Sequence, residues 1–299
     1  MKKHFPALRS VVCYFRNIKN KAEHRIKINK TFKQTLKLAI QSRKYTKTSA
    51  SDNGYYPLIC YLASQYDEVF NNFRSNYIYT RILEHVTEKL GGEYLDIIKE
   101  LHLFNNNDWQ EFAKNDLYGG TKKFTYDING QKFNLSPTTI RYAKVLGDIM
   151  TLFDVNEIKS IAEIGIGYGG QCRIIRSKIP DAVYNLFDLP EVIGLAEKFL
   201  SHYDECRENI KYLDGGHIYL QDNYDLVISN YAFSELRREV QDMYLEKIIL
   251  RSKRGYITWN KVLGSYSVNE LLAKIPGSAI IDERPLTAPD NCIILWGNK

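Results

Sequence analysis

One short segment constrains the fold of this chain more than any other: residues 161–170, with the sequence Ile-Ala-Glu-Ile-Gly-Ile-Gly-Tyr-Gly-Gly. It begins as an apolar strand, turns through closely spaced glycines and opens a helix. Glycine lets a backbone approach a ligand closely, and the free N–H groups at a helix N-terminus can point at that ligand. The segment therefore predicts a strand, a small-ligand loop and a helix in succession.

Short apolar strands alternate with amphipathic helices from Lys159 onward. Strands are predicted near residues 160–165, 183–188, 210–214, 224–229 and 255–260, with helices at Gly170–Ile179, Pro190–Tyr203 and Ser234–Leu250. Two last apolar segments, Ala279–Arg284 and Asn291–Trp296, are close enough in sequence to pair as an antiparallel hairpin. The pattern predicts an α/β fold with a Rossmann-like, mostly parallel sheet and a C-terminal antiparallel hairpin.

The first half is predicted to be mainly helical. Apolar residues recur at helical spacing as far as Leu90, where Gly91 and Gly92 are expected to end one helix before Glu93 begins another. Alternating residues on both sides of Asn129-Gly130 are typical of a type I′ hairpin. Ser136 and Pro137 then predict the start of a helix. We divide the chain into a basic segment (residues 1–48), a mainly helical substrate or cap domain (49–155) and a ligand-binding sheet domain (156–299).

Charge is distributed unevenly along the 299 residues. Residues 1–47 hold 14 Lys or Arg and a single acid, Glu23, so the overall net charge of +6 leaves about −7 for the rest. Such a basic segment suits an anionic ligand, a membrane surface or nucleic acid, but it is equally typical of a solvated tail. The five cysteines form neither a disulfide framework nor a zinc motif, and no apolar run is long enough to span a membrane. We expect a cytoplasmic protein, with a peripheral position at the inner membrane face left open.

The glycines alone leave the cofactor undecided. Gly165, Gly167 and Gly170 fit the dinucleotide pattern, whereas Gly165, Gly167 and Gly169 fit the pattern of methyltransferases. Glu163 lies within an apolar strand, where a carboxylate needs a cationic or hydrogen-bonding partner. The ammonium group of S-adenosylmethionine would be one, and a structural partner within the protein is the alternative. A pyrophosphate would be repelled, which argues against NAD.

Two further acids end predicted strands. Asp188 precedes Leu189 and Pro190, where a carboxylate can accept bonds from both ribose hydroxyls of either cofactor or cap the helix that follows. Asp214 precedes two glycines, so it is either a contact for an adenine amino group or a turn residue.

Three segments carry a resemblance to a known family: Glu163 to Gln171, Phe187 to Glu191, and Tyr224 to Glu235. Together they resemble the bacterial sugar O-methyltransferases of polysaccharide gene clusters, which are class I S-adenosylmethionine-dependent methyltransferases. The resemblance extends from about residue 110 to the C-terminus and covers Asn115-Asp116 and Ser136 to Tyr142, but not the first hundred residues. It implies S-adenosylmethionine as cofactor and, as acceptor, a sugar hydroxyl of a nucleotide-activated sugar or a capsule or lipopolysaccharide precursor. The expected cofactor-binding residues are Glu163, Gly165, Gly167, Tyr168, Gly169, Gln171, Asp188, Leu189, Asp214 and Asn230.

Methyl transfer to a hydroxyl benefits from a positioned base. Glu235, just after the fourth strand, is the first candidate, although an acid in the first turn of a helix is also a common structural feature. His217 is a rival base, but it lies in a turn, where a surface imidazole is the more common role. The predicted substrate-binding residues, each of which has an ordinary packing or surface alternative, are Tyr118, Arg141, Tyr142, Tyr231 and Ser234.

Other functions remain as alternatives. An NAD-dependent oxidoreductase or epimerase would favour a Tyr-x-x-x-Lys pair, but Tyr168 is followed at the fourth position by Cys172. The acceptor could also be an amide or a phosphoramidate. We expect no nucleic-acid partner. We also expect no metal ion, because no Asp and His residues have the spacing of metal ligands. A homo-oligomer stays open.

Overall fold

The computed structural model describes residues 55–219, 222–262 and 264–298; the basic segment predicted at residues 1–48 lies outside them. The described chain begins with α1 (Tyr55–Gln65), α2 (Asp67–Phe70), α3 (Tyr77–Thr80), α4 (Glu88–Leu101) and α5 (Asn106–Ala113). The prediction of a mainly helical first half is therefore confirmed over these residues. We call residues 55–113 the helical segment. Among the described helices, none combines the length and the apolar character needed to cross a bilayer.

Helix α4 corrects one prediction, because Gly91 and Gly92 lie inside it and do not end a helix. The helix begins after Thr87, whose side chain accepts a hydrogen bond from the Leu90 N–H. A Cβ atom on Gly91 would lie 2.6 Å from the Tyr126 hydroxyl. This glycine therefore allows close packing between α4 and the neighbouring hairpin.

That hairpin consists of β1 (Phe124–Ile128) and β2 (Gln131–Leu135). Asn129 and Gly130 have φ angles of 50° and 76°, as a type I′ turn requires, so the predicted hairpin is confirmed. Helix α6 (Pro137–Leu152) follows, and the Ser136 side chain caps it by accepting from the Thr139 N–H.

The remaining strands form one sheet: β3 (Ser160–Ile164), β4 (Val183–Asp188), β5 (Ile210–Asp214), β6 (Leu226–Asn230), β7 (Gly255–Trp259), β8 (Ala279–Asp282) and β9 (Cys292–Trp296). The strand order is β5-β4-β3-β6-β7-β9-β8. Strands β3 to β7 are parallel, and β9 pairs antiparallel with both β7 and β8. The predicted mostly parallel sheet with an antiparallel C-terminal hairpin is confirmed. From β3 the chain adds β4 and β5 on one side and then returns to add β6 on the other side. This reversal of the strand order places a crevice at the carboxyl ends of β3 and β6.

The helices of this half are α7 (Gly170–Arg176), α8 (Pro190–Leu200), α9 (Ala232–Glu235), α10 (Arg238–Lys247) and α11 (Val268–Lys274). Short 3₁₀ helices occur at Phe73–Ser75, Lys114–Asp116, Val155–Glu157, Asp204–Cys206 and Ile249–Arg251. The single helix predicted at Ser234–Leu250 is broken between α9 and α10. At this break the Gln241 side chain donates a hydrogen bond to the Phe233 carbonyl at 2.8 Å. This bond takes the place of a backbone hydrogen bond that would continue the helix.

The helical segment and the sheet share one hydrophobic core. Ile59 and Leu62 of α1 pack in the same cluster as Leu195 and Phe199 of α8, and all four are almost fully buried. Arg74 adds a buried polar connection. Its guanidinium pairs with Glu84 at 2.6 Å and Asp116 at 2.9 Å, and it donates to the Ser136 hydroxyl at 3.0 Å. Both apolar and ionic contacts thus hold the helical segment against the α/β part.

Candidate active site

The Gly-rich loop follows β3 at the carboxyl edge of the sheet. Gly165 and Gly167 have φ angles of 77° and 55°, which L side chains rarely adopt. The Gly165 N–H donates to the carbonyl of Phe187 at 2.9 Å. A Cβ atom on Gly165 would lie only 1.9 Å from the Cβ of Ala232. The loop therefore lies tightly between the ends of β4 and β6, and its first position requires glycine.

Asp188, the last residue of β4, faces this loop. Its carboxylate accepts hydrogen bonds from the N–H groups of Gly167 at 3.2 Å and Leu189 at 2.8 Å. Burial raises the pKa of Asp188 to about 6, although these two backbone donors oppose the shift. Each carboxylate oxygen has a further lone pair, so Asp188 can accept from two adjacent ligand hydroxyls.

A cleft of about 430 Å³ opens at the carboxyl ends of β3, β4 and β6. Its volume is typical of small-molecule sites, which are about 300–1,000 Å³. The cleft lies where the strand order reverses, the usual ligand position in an open α/β sheet. The predicted site residues that line it are Gly165, Gly167, Asp188, Leu189, Asn230, Arg141, Tyr231 and Glu235.

Glu163 is not among the residues that line the cleft. It is 2% exposed, and its carboxylate accepts a hydrogen bond from the Tyr184 hydroxyl at 2.6 Å. Side chains alternate along a strand, so Glu163 shares the sheet face of Ile161, which is covered by the core around α7 and α8. Burial raises the pKa of Glu163 to about 8. The hydrogen-bonding partner of this acid is thus a tyrosine within the protein, and a contact between Glu163 and the ammonium group of a cofactor remains a prediction.

Two further loop residues also face the core. Tyr168 is fully buried, with its ring 4.6 Å from the Arg74 guanidinium carbon and 4.8 Å from the Phe199 ring. A Cβ atom on Gly169 would lie 2.9 Å from Leu200 of α8. Because the chain turns into α7 here, both residues shape the back of the loop, and their contact with a cofactor remains a prediction.

Gln171 and Tyr142 contribute from behind the cleft wall. The Gln171 side chain donates to the Tyr142 carbonyl at 3.1 Å and accepts from the Asn230 amide at 3.4 Å. Tyr142 is only 4% exposed. Gln171 thus helps to position Asn230, which lines the cleft, and the predicted cofactor contact of Gln171 and substrate contact of Tyr142 remain predictions.

Asp214 and His217 lie beside a second, smaller cavity of about 270 Å³. The Asp214 carboxylate accepts from the Gly216 N–H at 2.8 Å and lies 3.0 Å from the His217 ring. Neither side chain lines the main cleft, because the turn after β5 folds them onto each other. The predicted roles of Asp214 as an adenine contact and of His217 as a catalytic base remain predictions, and the cavity beside these residues shares Phe187 with the main cleft.

Glu235 ends α9 and lines the cleft. The Asn260 side chain donates to its carboxylate at 3.1 Å. Ser234 is fully buried and hydrogen-bonds to the Asn260 side chain and, at 2.7 Å, to the Tyr231 carbonyl. Ser234 thus orients Asn260, which in turn orients Glu235, and the predicted substrate contact of Ser234 is corrected.

The predicted substrate residues Arg141, Tyr231 and Tyr118 differ in position. The Arg141 guanidinium lies 5.9 Å from the ring centroid of Tyr231, and both line the cleft. Tyr118 instead stacks on His202 at 4.2 Å and contacts Phe70, outside the cleft lining. The loop that carries Tyr118 packs on α2 and on the residues that follow α8, and its substrate contact remains a prediction.

The helical segment and the turn after α3 supply cleft residues that the sequence did not reveal: Tyr56, Arg81, Ile82, Leu83, His85, Val86, Leu90 and Tyr94. Burial and the positive charge of Arg141 lower the pKa of His85, so its imidazole is neutral near pH 7 and can accept a proton. Only apolar spacing marks this stretch in the sequence, and spacing alone does not show which surface it covers. Over the residues that the structure describes, no cluster of three or more His, Cys, Asp or Glu side chains could hold a metal ion.

Residues 108–228 match the family model of an O-methyltransferase domain. The match includes the Gly-rich loop and Asp188, and it ends within β6. This part of the chain is therefore similar to an O-methyltransferase domain. Methyltransferases of this kind use S-adenosylmethionine, and the sheet has the Rossmann-like class I methyltransferase fold expected from the sequence.

Solved structures similar to this chain include two methyltransferases and one biosynthetic protein. They are the mitomycin 7-O-methyltransferase MmcR (14% identity, TM-score 0.39), the pyocyanin biosynthetic protein PhzM (14%, 0.40) and the N,N-8-amino-8-demethyl-D-riboflavin dimethyltransferase RosA from Streptomyces davawensis (17%, 0.39). The matches cover 54%, 55% and 54% of this chain and 54%, 57% and 56% of those chains, so it spans little more than half the length of each. No curated protein matches the chain.

Proposed function

We propose that this protein transfers a methyl group from S-adenosylmethionine to a hydroxyl of a small-molecule acceptor. The proposal rests on one observation: the residues that match an O-methyltransferase domain contribute the Gly-rich loop and Asp188 to a cleft of suitable size. When bound, S-adenosylmethionine supplies an electrophilic methyl group, and the transfer yields a methyl ether, adenosylhomocysteine and a proton.

The cofactor side of the cleft is formed by β3 and β4. Asp188 would accept hydrogen bonds from the ribose hydroxyls, and the loop at Gly165 and Gly167 would let the ligand approach the backbone closely. Leu189 offers an apolar surface beside the ribose, and Asn230, at the end of β6, offers a polar group.

The acceptor side is formed by β6, α9 and the helical segment. Glu235 is our first candidate for the base that takes the acceptor proton, because Asn260 holds its carboxylate at the cleft wall. His85 is the second, because it lines the same cleft and is neutral near pH 7. A positioned base contributes about 10²- to 10⁴-fold to such a step, in addition to what orientation of the reactants supplies.

We further propose that the acceptor is a sugar hydroxyl, on a nucleotide-activated sugar or a capsule or lipopolysaccharide precursor. Its support is the motif resemblance and the combination of aromatic and cationic side chains at Tyr94, Tyr231 and Arg141. Aromatic faces stack on sugar rings, and a guanidinium binds phosphate or hydroxyl oxygens. The cysteines within the described residues are free thiols, which supports a cytoplasmic location.

The test is a calorimetric titration of the full chain with adenosylhomocysteine and, separately, with NAD. We expect one tight site for adenosylhomocysteine and none for NAD; the reverse result would refute the proposal. A panel of nucleotide sugars incubated with isotopically labelled cofactor and read by mass spectrometry would then identify the acceptor. If no sugar is methylated but another hydroxyl compound is, the proposed methyltransferase activity stands and the proposed sugar acceptor is wrong.

The ionisation of Asp188 should control cofactor affinity. The raised pKa, about 6, means that the carboxylate gains protons between pH 7 and pH 5, and at pH 5 only about a tenth remains ionised. Affinity for adenosylhomocysteine is expected to fall by up to about tenfold over this range. Asp188→Asn should weaken binding about 10- to 100-fold at pH 8 and remove the pH dependence, because charge-assisted bonds contribute about 1.5–3 kcal/mol.

Asp214→Asn is the matched control, since Asp214 ends the adjacent strand but does not line the cleft. Its affinity should stay within about twofold of the parent at each pH, a change smaller than any lost hydrogen bond would produce. Equal losses in the two variants would show that the Asp188 effect is unspecific.

Glu235→Gln should separate catalysis from binding. We expect turnover to fall at least about tenfold while adenosylhomocysteine affinity is retained, because glutamine keeps the shape but accepts no proton near neutral pH. His85→Gln in parallel identifies the base: the variant with the larger loss, and with an altered pH–rate profile, marks it. Unchanged turnover in Glu235→Gln would assign the role elsewhere.

A further inference from the structure

Arg141 is a buried cation that has no counter-ion among the residues that the structure describes. It lies in the first turns of α6, is 7% exposed and lines the cleft. Its Nε atom is buried with no hydrogen-bond partner. Across residues 55–219, 222–262 and 264–298, no acceptor hydrogen-bonds to the guanidinium and no carboxylate forms an ion pair with it. Burial of a charge in this way is unfavourable unless a partner arrives.

The carboxylates nearby are already engaged. Glu84 pairs with Arg74 at 2.6 Å and accepts from the Thr121 hydroxyl at 3.1 Å. Glu283 accepts from the Tyr231 hydroxyl and, at 2.8 Å, from the Thr287 N–H. The guanidinium is instead bordered by aromatic rings, with the centroids of Tyr142 and Tyr231 at 5.6 and 5.9 Å. These rings shield the cation from water without neutralising it.

The position of Arg141 also indicates which ligand it faces. Tyr231 follows β6 and opens the short turn that carries Glu235, whereas Asp188 ends β4. Strands β6 and β4 lie on opposite sides of β3. The guanidinium therefore lies on the side of the candidate base, away from the carboxylate that would bind the ribose.

We propose that Arg141 binds an anionic group, a carboxylate or a phosphate, carried by the methyl acceptor. This rests on the function proposed above and narrows its substrate class. The planar guanidinium can donate two parallel hydrogen bonds to either anion, which fixes the acceptor in orientation as well as in place. An anionic group on the acceptor would be the counter-ion that the described residues do not provide.

Calorimetry on the full chain, saturated with adenosylhomocysteine, tests this with two probes: inorganic pyrophosphate for a phosphate and benzoate for a carboxylate. We expect the protein to bind at least one, and the tighter probe identifies the source of the anion. Arg141→Gln should weaken that binding at least about tenfold, as expected for lost charge-assisted bonds. Arg141→Lys should recover only part of it, because lysine keeps the charge but not the paired donors.

Arg207→Gln is the matched control, since it removes one positive charge from an exposed surface pair with Asp204. Its anion affinity should equal that of the parent. Arg141→Gln should also melt no lower than the parent, because it removes an unpaired buried charge; a structural arginine would behave in the opposite way.

Three results would overturn the inference. The first is a parent protein that binds adenosylhomocysteine but neither probe, and the second is anion affinity unchanged in Arg141→Gln. The third is a loss of adenosylhomocysteine affinity in Arg141→Gln, which would assign the residue to the cofactor carboxylate. A parent protein that binds no adenosylhomocysteine refutes the proposed function instead, so the two failures are distinguishable.

Discussion

Gly165→Ala is expected to destabilise the protein by about 2–5 kcal/mol and to abolish adenosylhomocysteine binding. Two effects add. A φ of 77° costs a residue with a side chain about 1–2 kcal/mol. The new methyl group would also lie 1.9 Å from Ala232, and relieving such a contact costs about 1–3 kcal/mol. Urea denaturation followed by circular dichroism measures the change in the free energy of unfolding.

Two further variants separate these effects. Gly165→Ala combined with Ala232→Gly removes the contact and should leave a loss of only about 1–2 kcal/mol from the backbone. Gly92→Ala is the control. Gly92 lies inside α4, where an added Cβ atom would have no neighbouring heavy atom within 4 Å, so this variant should stabilise the protein by about 0.5–1 kcal/mol. Equal stability of Gly165→Ala and the parent would contradict the loop geometry described here.

Glu163→Gln is expected to make the ligand-free protein more stable at alkaline pH. The pKa of Glu163 is raised from 4.5 to about 8 by burial. The unfolded chain therefore loses this proton at lower pH than the folded protein does, so parent stability declines between about pH 4.5 and pH 8 and then levels off. At 1.36 kcal/mol per pKa unit, the variant should gain about 4 kcal/mol relative to the parent between pH 5 and pH 9.

Tyr184→Phe provides a second variant for the same measurement. The Tyr184 hydroxyl lowers the pKa of Glu163, so its removal should extend the decline in stability to higher pH. Chemical denaturation at several pH values in the absence of ligand gives the profiles. Parallel profiles for the parent and Glu163→Gln would show that Glu163 is ionised in the folded protein throughout this range.

Local sequence chemistry predicted most of the sheet. The strands are short apolar runs bounded by turn residues, and the hairpin at Asn129-Gly130 follows from positive φ angles that few residues tolerate. The two errors have tertiary causes. Gly91 serves a contact with Tyr126, and the break before α10 depends on Gln241, so neither appears in helical periodicity.

The candidate site divides in a similar way. Gly165, Asp188 and Glu235 were predicted to face the ligand because the carboxyl ends of parallel strands meet at one edge of a sheet. The burial of Glu163 against Tyr184 could not be read from the sequence, because strand alternation defines two faces but does not say which one the ligand occupies. His85 was missed because it reaches the cleft through packing between distant parts of the chain.

The common core of the helical segment and the sheet has a consequence for how such an enzyme diversifies. Ile59 and Phe199 belong to one continuous interior, and Arg74 connects the two parts through buried charges. A hybrid protein whose helical segment came from a different protein would have different residues along the cleft, but its core residues would not fit those of the sheet. New substrate preferences are therefore more accessible through single exchanges on the wall around His85 and Tyr94 than through recombination of whole modules.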